Sequence, residues 1–488
     1  MPQDRPLLTT WPAVLDYVAA GHRARIDSRQ VEPGDVFVAL PGSTVHGSDF
    51  APQALKRGAT AVVAAPGTLP ASLSQQNCVV HDDPREALGA LAEAHFGTSR
   101  QGLELIGVTG TNGKTTVVGL LEYALQRMGR RVGVIGTIAN RWPGHEEPAA
   151  LTTPGCWDLH ACLSRMAADG VDTVCMEVSS HALAQRRTAG LRFSAAVLTN
   201  VSQDHLDYHR DMESYFAAKS TLFNPSHLTE NGVRVINADD PYGRRLRTGF
   251  PGAWGYSLHS EEAQDPLLVE ASVAGMDRKG IRLSCLWQGQ QWVLPSPLVG
   301  QHNGANLMAA QATLLALGFG PADAAGLSDA PPVPGRLERV ENAAGLDIFV
   351  DYAHTPDALE NVLQALTALD GNRLLVVFGC GGDRDRTKRV PMGQAVARYA
   401  DVAILTSDNP RHEDPGAIMA DVRPGLADCP RVVEESDRKS AIALALQEMV
   451  PGDILVVTGK GHETYQDIGG VRVEFSDIRA ICEQIQCN

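Results

Sequence analysis

Seven consecutive residues, Gly110-Thr111-Asn112-Gly113-Lys114-Thr115-Thr116, carry the groups that a nucleoside triphosphate demands. Glycines let backbone N–H groups converge on a phosphate at a helix N-terminus, Lys114 can reach the terminal phosphates, and the Thr115 hydroxyl suits Mg²⁺. The spacing departs from the general phosphate loop, because the residue five before Gly113 is Val108 rather than glycine. An ordinary glycine turn capping a helix is the alternative. Context favours the phosphate: an apolar strand candidate at 103–108 precedes the loop and a helix candidate at 117–128 follows it, the order such a loop requires.

Other residues have the right chemistry without the same local support. Glu177 and His205 lie at or just beyond the ends of strand candidates, where they could face the loop and, with Thr115, share a metal ion; oxygen and imidazole suit Mg²⁺ when waters complete its shell. Either alone is also an ordinary capping or surface group. Lys219, in a helix candidate, reads in isolation as a solvated lysine. Asn303 and Asn306 open or precede a helix candidate at 307–317 and are placed to cap it. Asp408-Asn409-Pro410-Arg411 reads either as an Asn-Pro turn with an exposed arginine or as a guanidinium positioned to grip a carboxylate through two parallel hydrogen bonds.

The elements that must position these groups alternate. Residues 1–98 offer a strand at 35–40, a helix at 51–57 and an apolar run at 59–65, a small α/β domain. From residue 99, apolar runs at 103–108, 132–135, 173–178 and 195–198 alternate with helix candidates and imply a parallel sheet, with an antiparallel insertion over 267–294 broken at Gly280 and Gln288-Gly289-Gln290. Pro331, Pro332, Pro334 and Gly335 mark a hinge, after which 335–488 repeats the alternation, with strands at 348–351, 374–379, 402–406 and 454–458. The expected fold class is α/β in three domains: 1–98, a central phosphate-loop domain at 99–334, and a Rossmann-like, doubly wound domain at 335–488 whose ligands sit beyond the strands' carboxyl ends.

Composition narrows the function. Forty-two basic against fifty-seven acidic residues give a net charge of −15, which disfavours nucleic acid and anionic membranes as partners. Nine scattered cysteines form no CxxC pair or disulfide scaffold, so a reducing cytoplasm fits them best. No export signal or membrane span is legible.

The compact TGTNGKTT form resembles the Mur ligases and their relatives, the folylpolyglutamate and cyanophycin synthetases. Met176-Glu177-Val178-Ser179-Ser180-His181, Thr199-Asn200-Val201, Asp204-His205-Leu206-Asp207-Tyr208-His209, Ala217-Ala218-Lys219, His302-Asn303-Gly304-Ala305-Asn306, Gly335-Arg336 and Asp351-Tyr352-Ala353-His354-Thr355-Pro356 extend it. Together they resemble the tripeptide-forming Mur ligases over nearly the whole chain. The resemblance implies Lys114, Glu177, His205 and Lys219 as catalytic. It implies Thr115, Glu177, His205 and Lys219 around Mg²⁺, with Lys219 carbamylated by CO₂ to N6-carboxylysine. Asn303, Arg336 and Asp351 join the loop in binding ATP, and domain closure completes that site. Ile26, Ser28, Ser43, Thr44, Val45, Thr152, Thr153, Ser179, Gln185 and Arg187 match the uridine-nucleotide substrate's contacts, although Leu151 stands where the family often has asparagine. Arg384, Asp408, Asn409, Pro410, Arg411, Gly459 and Glu463 match the amino-acid contacts, and DNPR marks members that add meso-diaminopimelate; ornithine, lysine or another diamino acid are the alternatives for Arg411.

The implied reaction is cytoplasmic and run by a monomer. ATP would phosphorylate a carboxylate of UDP-N-acetylmuramoyl-L-alanyl-D-glutamate, and the amine of meso-diaminopimelate would attack the resulting acyl phosphate in peptidoglycan precursor synthesis. A folylpolyglutamate synthetase is the rival within the chemistry, although it usually shows GKGS where this chain has GKTT. A nucleotide-dependent switch is the rival outside it, with no use for the amino-acid-reading motifs.

Overall fold

The computed structural model describes residues 7–42, 45–73, 77–259, 265–485 and 487. Packing divides the chain into two compact units, residues 1–110, 125–197 and 205–234 in the first and 111–124, 198–204 and 235–488 in the second.

The first unit opens with a four-stranded parallel sheet of β1 (Ala24–Arg25), β2 (Val36–Val38), β3 (Ala61–Ala64) and β4 (Cys78–Val80), in that order. Both faces are covered, Val36, Val38, Ala61 and Val63 packing on one side and Phe37, Val62 and Ala64 on the other. This double burial is why the strands read as unbroken apolar runs. The helix Pro84–Phe96 starts cleanly because Asp83 caps Arg85 N at 2.9 Å, and it ends at Gly97 with φ 63°.

A second set of strands follows: β5 (Glu104–Thr109), β6 (Val132–Ile135), β7 (Ala139–Trp142), β8 (His145–Pro148), β9 (Thr173–Glu177) and β10 (Phe193–Leu198), ordered β10-β5-β9-β6-β7-β8. β5, β9 and β6 are parallel, whereas β7 and β8 form an antiparallel extension that sequence reading did not anticipate. Their alternation is short and polar, so it lacked a strand signature. Register pairs Val108 with Glu177 and Ile135 with Met176, so the ends of β5 and β9 and Gly136-Thr137 after β6 share the carboxyl edge.

The second unit takes over within β11 (Leu228–Asn237). Beside it lie β12 (Trp254–Ser257), β13 (Leu268–Asp277), β14 (Gly280–Trp287) and β15 (Gln290–Ser296). β12 and β13 are parallel, and β13-β14-β15 form the expected antiparallel insertion, turning at Lys279-Gly280 and Gln288-Gly289. The helix Gln301–Ala316 begins six residues before the expected start. Asn303 and Asn306 therefore sit inside it, buried, and Gly300 rather than either asparagine is the N-cap. Their side chains face neighbours instead of solvent, which removes the capping reading.

The doubly wound sheet is present, with β16 (Glu338–Arg339), β17 (Asp347–Asp351), β18 (Leu374–Phe378), β19 (Val402–Leu405), β20 (Arg431–Glu434) and β21 (Ile454–Thr458) ordered β16-β17-β21-β18-β19-β20. All pairs but the first are parallel. Phe349, Val376, Phe378 and Val456 pack on one face, Ile348, Val350, Val377 and Val457 on the other. A hairpin, β22 (Tyr465–Ile468) and β23 (Val471–Glu474), completes the unit. One cysteine expectation is corrected: Cys482 and Cys487 are bridged, with Cα atoms 5.1 Å apart, where the tail turns back to pair with Asn342. The pairing is local, five residues apart, so no scattered-cysteine pattern revealed it; seven other cysteines are free.

Candidate functional site

In the first unit the polar residues singled out by sequence converge on Glu177. Its carboxylate ends β9, 1 % exposed, and accepts Thr137 N (2.8 Å) and Thr137 Oγ1 (3.1 Å). A Cβ on Gly136 would lie 2.5 Å from Glu177 Oε1, so the glycine lets the chain pass close to the carboxylate as it stands. Thr152 Oγ1 lies 3.1 Å from Thr137 Oγ1, and Thr153 Oγ1 donates to Glu177 O (2.9 Å) while accepting Ser179 N (3.1 Å). Ser179 caps the next helix through Ala182 N. Arg187 donates to Thr153 O (2.8 Å) and Gln185 Oε1 (2.8 Å). Thr152, Thr153, Ser179, Gln185 and Arg187 thus form one connected polar surface. Thr137 belongs to it too; sequence reading passed over it because a lone threonine after a strand carries no signal.

Lys219 is 2 % exposed rather than solvated, donates to Gly110 O at 2.8 Å and lies 4.4 Å from the Tyr215 ring centroid. His205 adopts a left-handed φ of 54°, and its ring meets that of His181 edge-on at 4.7 Å. Among the described residues no three His, Cys, Asp or Glu side chains converge as a closed metal cage. The donor chemistry nevertheless fits Mg²⁺, which keeps several waters and takes one or two protein oxygens beside phosphate.

A short 3-10 helix after β1, Ser28–Gln30, carries Ser28, buried and donating to Gln53 Oε1 at 2.8 Å, while Ile26 and Val45 are exposed. Ser43 and Thr44 lie outside the described residues.

In the second unit the phosphate loop is anchored on both sides. Thr111 N donates to Asn200 O (2.9 Å), Asn112 N to Asn200 Oδ1 (3.0 Å), and Thr199 Oγ1 to Asn112 O (2.6 Å). Lys114 Nζ donates to Thr111 O at 2.8 Å, folding back over its own loop. Gly113 has φ 84°, and a Cβ there would lie 2.2 Å from Asn306 Oδ1. Asn306 is aimed by Asn303 Oδ1 (3.1 Å), and Asn303 in turn by Val299 O (2.8 Å). The helix begins at Lys114, inside the motif, so Thr115 and Thr116 occupy its first turn.

Arg336 and Asp351 join this loop. Arg336 Nη2 donates to Thr115 Oγ1 at 3.1 Å and its guanidinium stacks 4.7 Å from the Tyr352 ring centroid. Asp351, at the end of β17, accepts Leu337 N (2.6 Å) and Ala353 N (2.7 Å). Burial pushes its carboxyl up and Arg336 pulls against that.

The loops after β18, β19 and β21 leave the carboxyl edge of the parallel sheet, and they carry the residues that the sequence resemblance matched to amino-acid contacts. Glu463 Oε2 accepts Lys460 Nζ (2.8 Å) and Asn409 Nδ2 (2.9 Å), while Lys460 Nζ also reaches Asn409 Oδ1 (3.0 Å) and stands 3.7 Å from Asp408 Oδ1. Burial separates the two carboxyls: it raises Asp408 despite Lys460 and Arg438, whereas at Glu463 Lys460 and Asn409 outweigh burial and lower it. Gly459, at φ 111°, leaves room for Asp408 Oδ2, 2.7 Å from where its Cβ would be. Arg411, at φ 52°, donates to Gly382 O at 2.7 Å, and Arg384 is exposed. Beneath them Arg438 and Asp477 form a wholly buried pair at 2.7 Å, with Arg438 also holding Thr458 O (2.9 Å). Lys460, Arg438 and Asp477 escaped sequence reading because their partners lie three to fifty-one positions away, outside any local pattern.

Known proteins resemble the chain along most of its length. The descriptions "Mur ligase family, catalytic domain", "Mur ligase middle domain" and "Mur ligase, glutamate ligase domain" match residues 22–96, 108–314 and 335–461. The chain is 49 % identical over 463 residues to the UDP-N-acetylmuramoyl-L-alanyl-D-glutamate--2,6-diaminopimelate ligase of Lawsonia intracellularis, covering 95 % of this chain and 96 % of that protein. It is 46 % identical over 453 residues to the protein of the same name from Gloeobacter violaceus, covering 92 % and 91 %. A solved structure, also of a UDP-N-acetylmuramoyl-L-alanyl-D-glutamate--2,6-diaminopimelate ligase, superposes with a TM-score of 0.67 at 35 % identity, over 95 % of this chain and 94 % of that one.

Proposed function

The chain belongs to the Mur ligase family, and from that membership we propose that it joins meso-diaminopimelate to UDP-N-acetylmuramoyl-L-alanyl-D-glutamate with ATP, in the cytoplasmic stage of peptidoglycan synthesis. The observation that carries the amino-acid assignment is the clustering of Asn409, Lys460 and Glu463 around one carboxylate oxygen, with Arg411 on the same loop. A diamino dicarboxylic acid needs an anion for its ammonium and a guanidinium for the carboxylate that lysine lacks. Glu463, held anionic by Lys460, and Arg411 supply them.

A free carboxylate is a poor electrophile. The substrate's carboxylate takes the γ-phosphoryl group of ATP, the diaminopimelate amine attacks the acyl carbon, and phosphate leaves. The protein's part is positioning and charge. Lys114, freed from Thr111 O, would meet the γ-phosphate; Arg336 brings a second cation to the loop beside Thr115; and the convergence of Asn303 and Asn306 on Gly113 supports a fixed phosphate seat. Thr152, Thr153, Ser179, Gln185 and Arg187 offer donors and acceptors for the peptidyl end of the uridine nucleotide, and Ser28, in the short helix after β1, is assigned to its uridine end. Bound Mg²⁺ would neutralise phosphate charge, held by the Thr115 hydroxyl, Glu177, His205 and Lys219. The burial of Lys219 against Gly110 O supports carbamylation, which exchanges a buried cation for an anion able to meet the metal. We assign domain boundaries at 98/99 and 334/335 on the same reading.

Mass spectrometry of protein, ATP, Mg²⁺ and the UDP-dipeptide with meso-diaminopimelate, lysine or ornithine in separate reactions tests the proposal. A tripeptide product with diaminopimelate alone is expected. Product only with lysine or ornithine defeats the assignment of Arg411, and no product from folded protein defeats the reaction itself.

A further inference from the structure

One charged residue contacts the phosphate loop without any role in the reading above. Asp357 sits in the first turn of the helix Pro356–Thr367, which Thr355 caps through Ala358 N. Its Oδ2 accepts Ser202 Oγ at 2.8 Å and Asn112 Nδ2 at 3.0 Å, with Asn361 Nδ2 at 3.4 Å. Asn112 is the middle of the loop: its N–H and C=O are bound to Asn200 and Thr199, and its side-chain amide reaches Asp357. Ser202 N donates to Thr111 Oγ1 at 3.0 Å, and Thr111 Oγ1 donates to Ser202 O at 3.1 Å. One carboxylate oxygen therefore gathers the two segments whose mutual bonds shape the loop.

The charge is well placed for holding and poorly placed for anything else. A helix N-terminus stabilises an anion, and hydrogen bonds to an ionised acceptor are about twice as strong as neutral ones. A carboxylate free to turn towards a triphosphate would repel it. Here it is engaged sideways by Asn112 and Ser202, so its charge stiffens the loop.

We infer that Asp357 is a positioning residue for ATP, setting the Asn112 and Ser202 side chains and through them the phosphate seat from a helix of the neighbouring doubly wound sheet. This rests on the reading of 110–116 as the ATP loop. The test measures steady-state rates for Asp357→Ala, Asp357→Asn, Asn112→Ala and the Asp357→Ala/Asn112→Ala double variant, varying each substrate in turn. Asp357→Ala should lower kcat/KM for ATP about tenfold or more and leave KM for the UDP-dipeptide and diaminopimelate within about twofold; the double variant should lose clearly less than the product of the two single losses, because contacting residues couple. Asp357→Asn, which keeps an acceptor but no charge, should fall between. An unchanged ATP dependence, an equal loss for all three substrates, or losses that multiply in the double variant would each overturn the inference. If Asp357→Ala does not fold, Asp357→Asn with calorimetric ADP binding decides on the same criteria. A Lys114→Ala enzyme run alongside separates the two readings: full activity there sinks the ATP loop itself, whereas an inactive Lys114→Ala beside a normal Asp357→Ala sinks only the inference.

Discussion

The 110–116 loop is secured mostly by uncharged partners, Asn200, Thr199, Asn303 and Asn306, with one carboxylate, Asp357, on Asn112 and one guanidinium, Arg336, on Thr115, while Lys114 rests on a carbonyl. The loops after β19 and β21 are secured by charge: Lys460 between Glu463 and Asp408, and Arg438 on Asp477 below. On the proposed reading of 110–116 as the ATP loop, mostly neutral partners suit the arrival of a highly charged ligand. On the proposed reading of 408–411 and 459–463 as amino-acid contacts, charges already committed suit discrimination, since each excludes a ligand with the wrong complement. The difference teaches that the first loop should lose activity without much stability when its lysine goes, and the second should lose both.

The sharpest way to break that contrast is Lys114→Ala. Turnover should fall by about a thousandfold or more, in keeping with removal of a group that meets transition-state charge, with uridine-nucleotide binding by calorimetry and the melting temperature nearly unchanged. Comparable turnover would remove Lys114 from the chemistry. Next in size, Lys460→Met should cost about 3–5 kcal/mol in urea denaturation, because it strands Glu463 and Asp408 without their buried cation, and should raise KM for diaminopimelate more than KM for ATP. A loss under about 1 kcal/mol would mean that the charges there are not interdependent.

The smallest effect sharpens the comparison through pH. Burial and the Arg336 guanidinium lower His462 from 6.5 to about 4. The unfolded chain binds a proton on this ring as pH falls below 6.5 and the folded chain does not until about 4, so the ring subtracts stability across that window and nothing above it. His462→Gln should flatten that part of the stability profile by about 1–3 kcal/mol. An unaltered slope between pH 6.5 and 4 would assign the acid sensitivity to other groups.

What was legible follows the same divide. Backbone geometry leaves local marks: the loop's glycines, the apolar runs and the turns at Gly280 and Gly289 were all readable, and the strand candidates at 132–135 and 454–458 coincide with β6 and β21. Side-chain partnership across about forty or more positions leaves none, which is why Lys460 with Asn409, Arg438 with Asp477 and Asp357 with Asn112 emerged only in the fold. Burial also reversed two local readings. Lys219 is enclosed rather than solvated, and Asn303 and Asn306 are helix-interior residues turned towards the loop rather than caps, because the apolar stretch that suggested a start at 307 is the buried continuation of a helix that opens with polar residues at Gln301.

The Asp408–Arg411 turn does not stand alone. Asp467 N and Gln466 Nε2 bind Asn409 Oδ1 and Asp408 O at 2.9 and 2.6 Å, while Arg411 N donates to Asp467 O at 2.9 Å and Gly469 N to Arg411 O at 2.6 Å. For protein engineering, the transplantable cassette is therefore two segments: a ligase reprogrammed for a different amino acid by exchanging only the four residues would inherit a foreign seam along β22. Exchanging 408–411 together with 465–474 carries both edges of that seam, and libraries diversified across the two stretches at once sample sequences that each single-stretch library excludes.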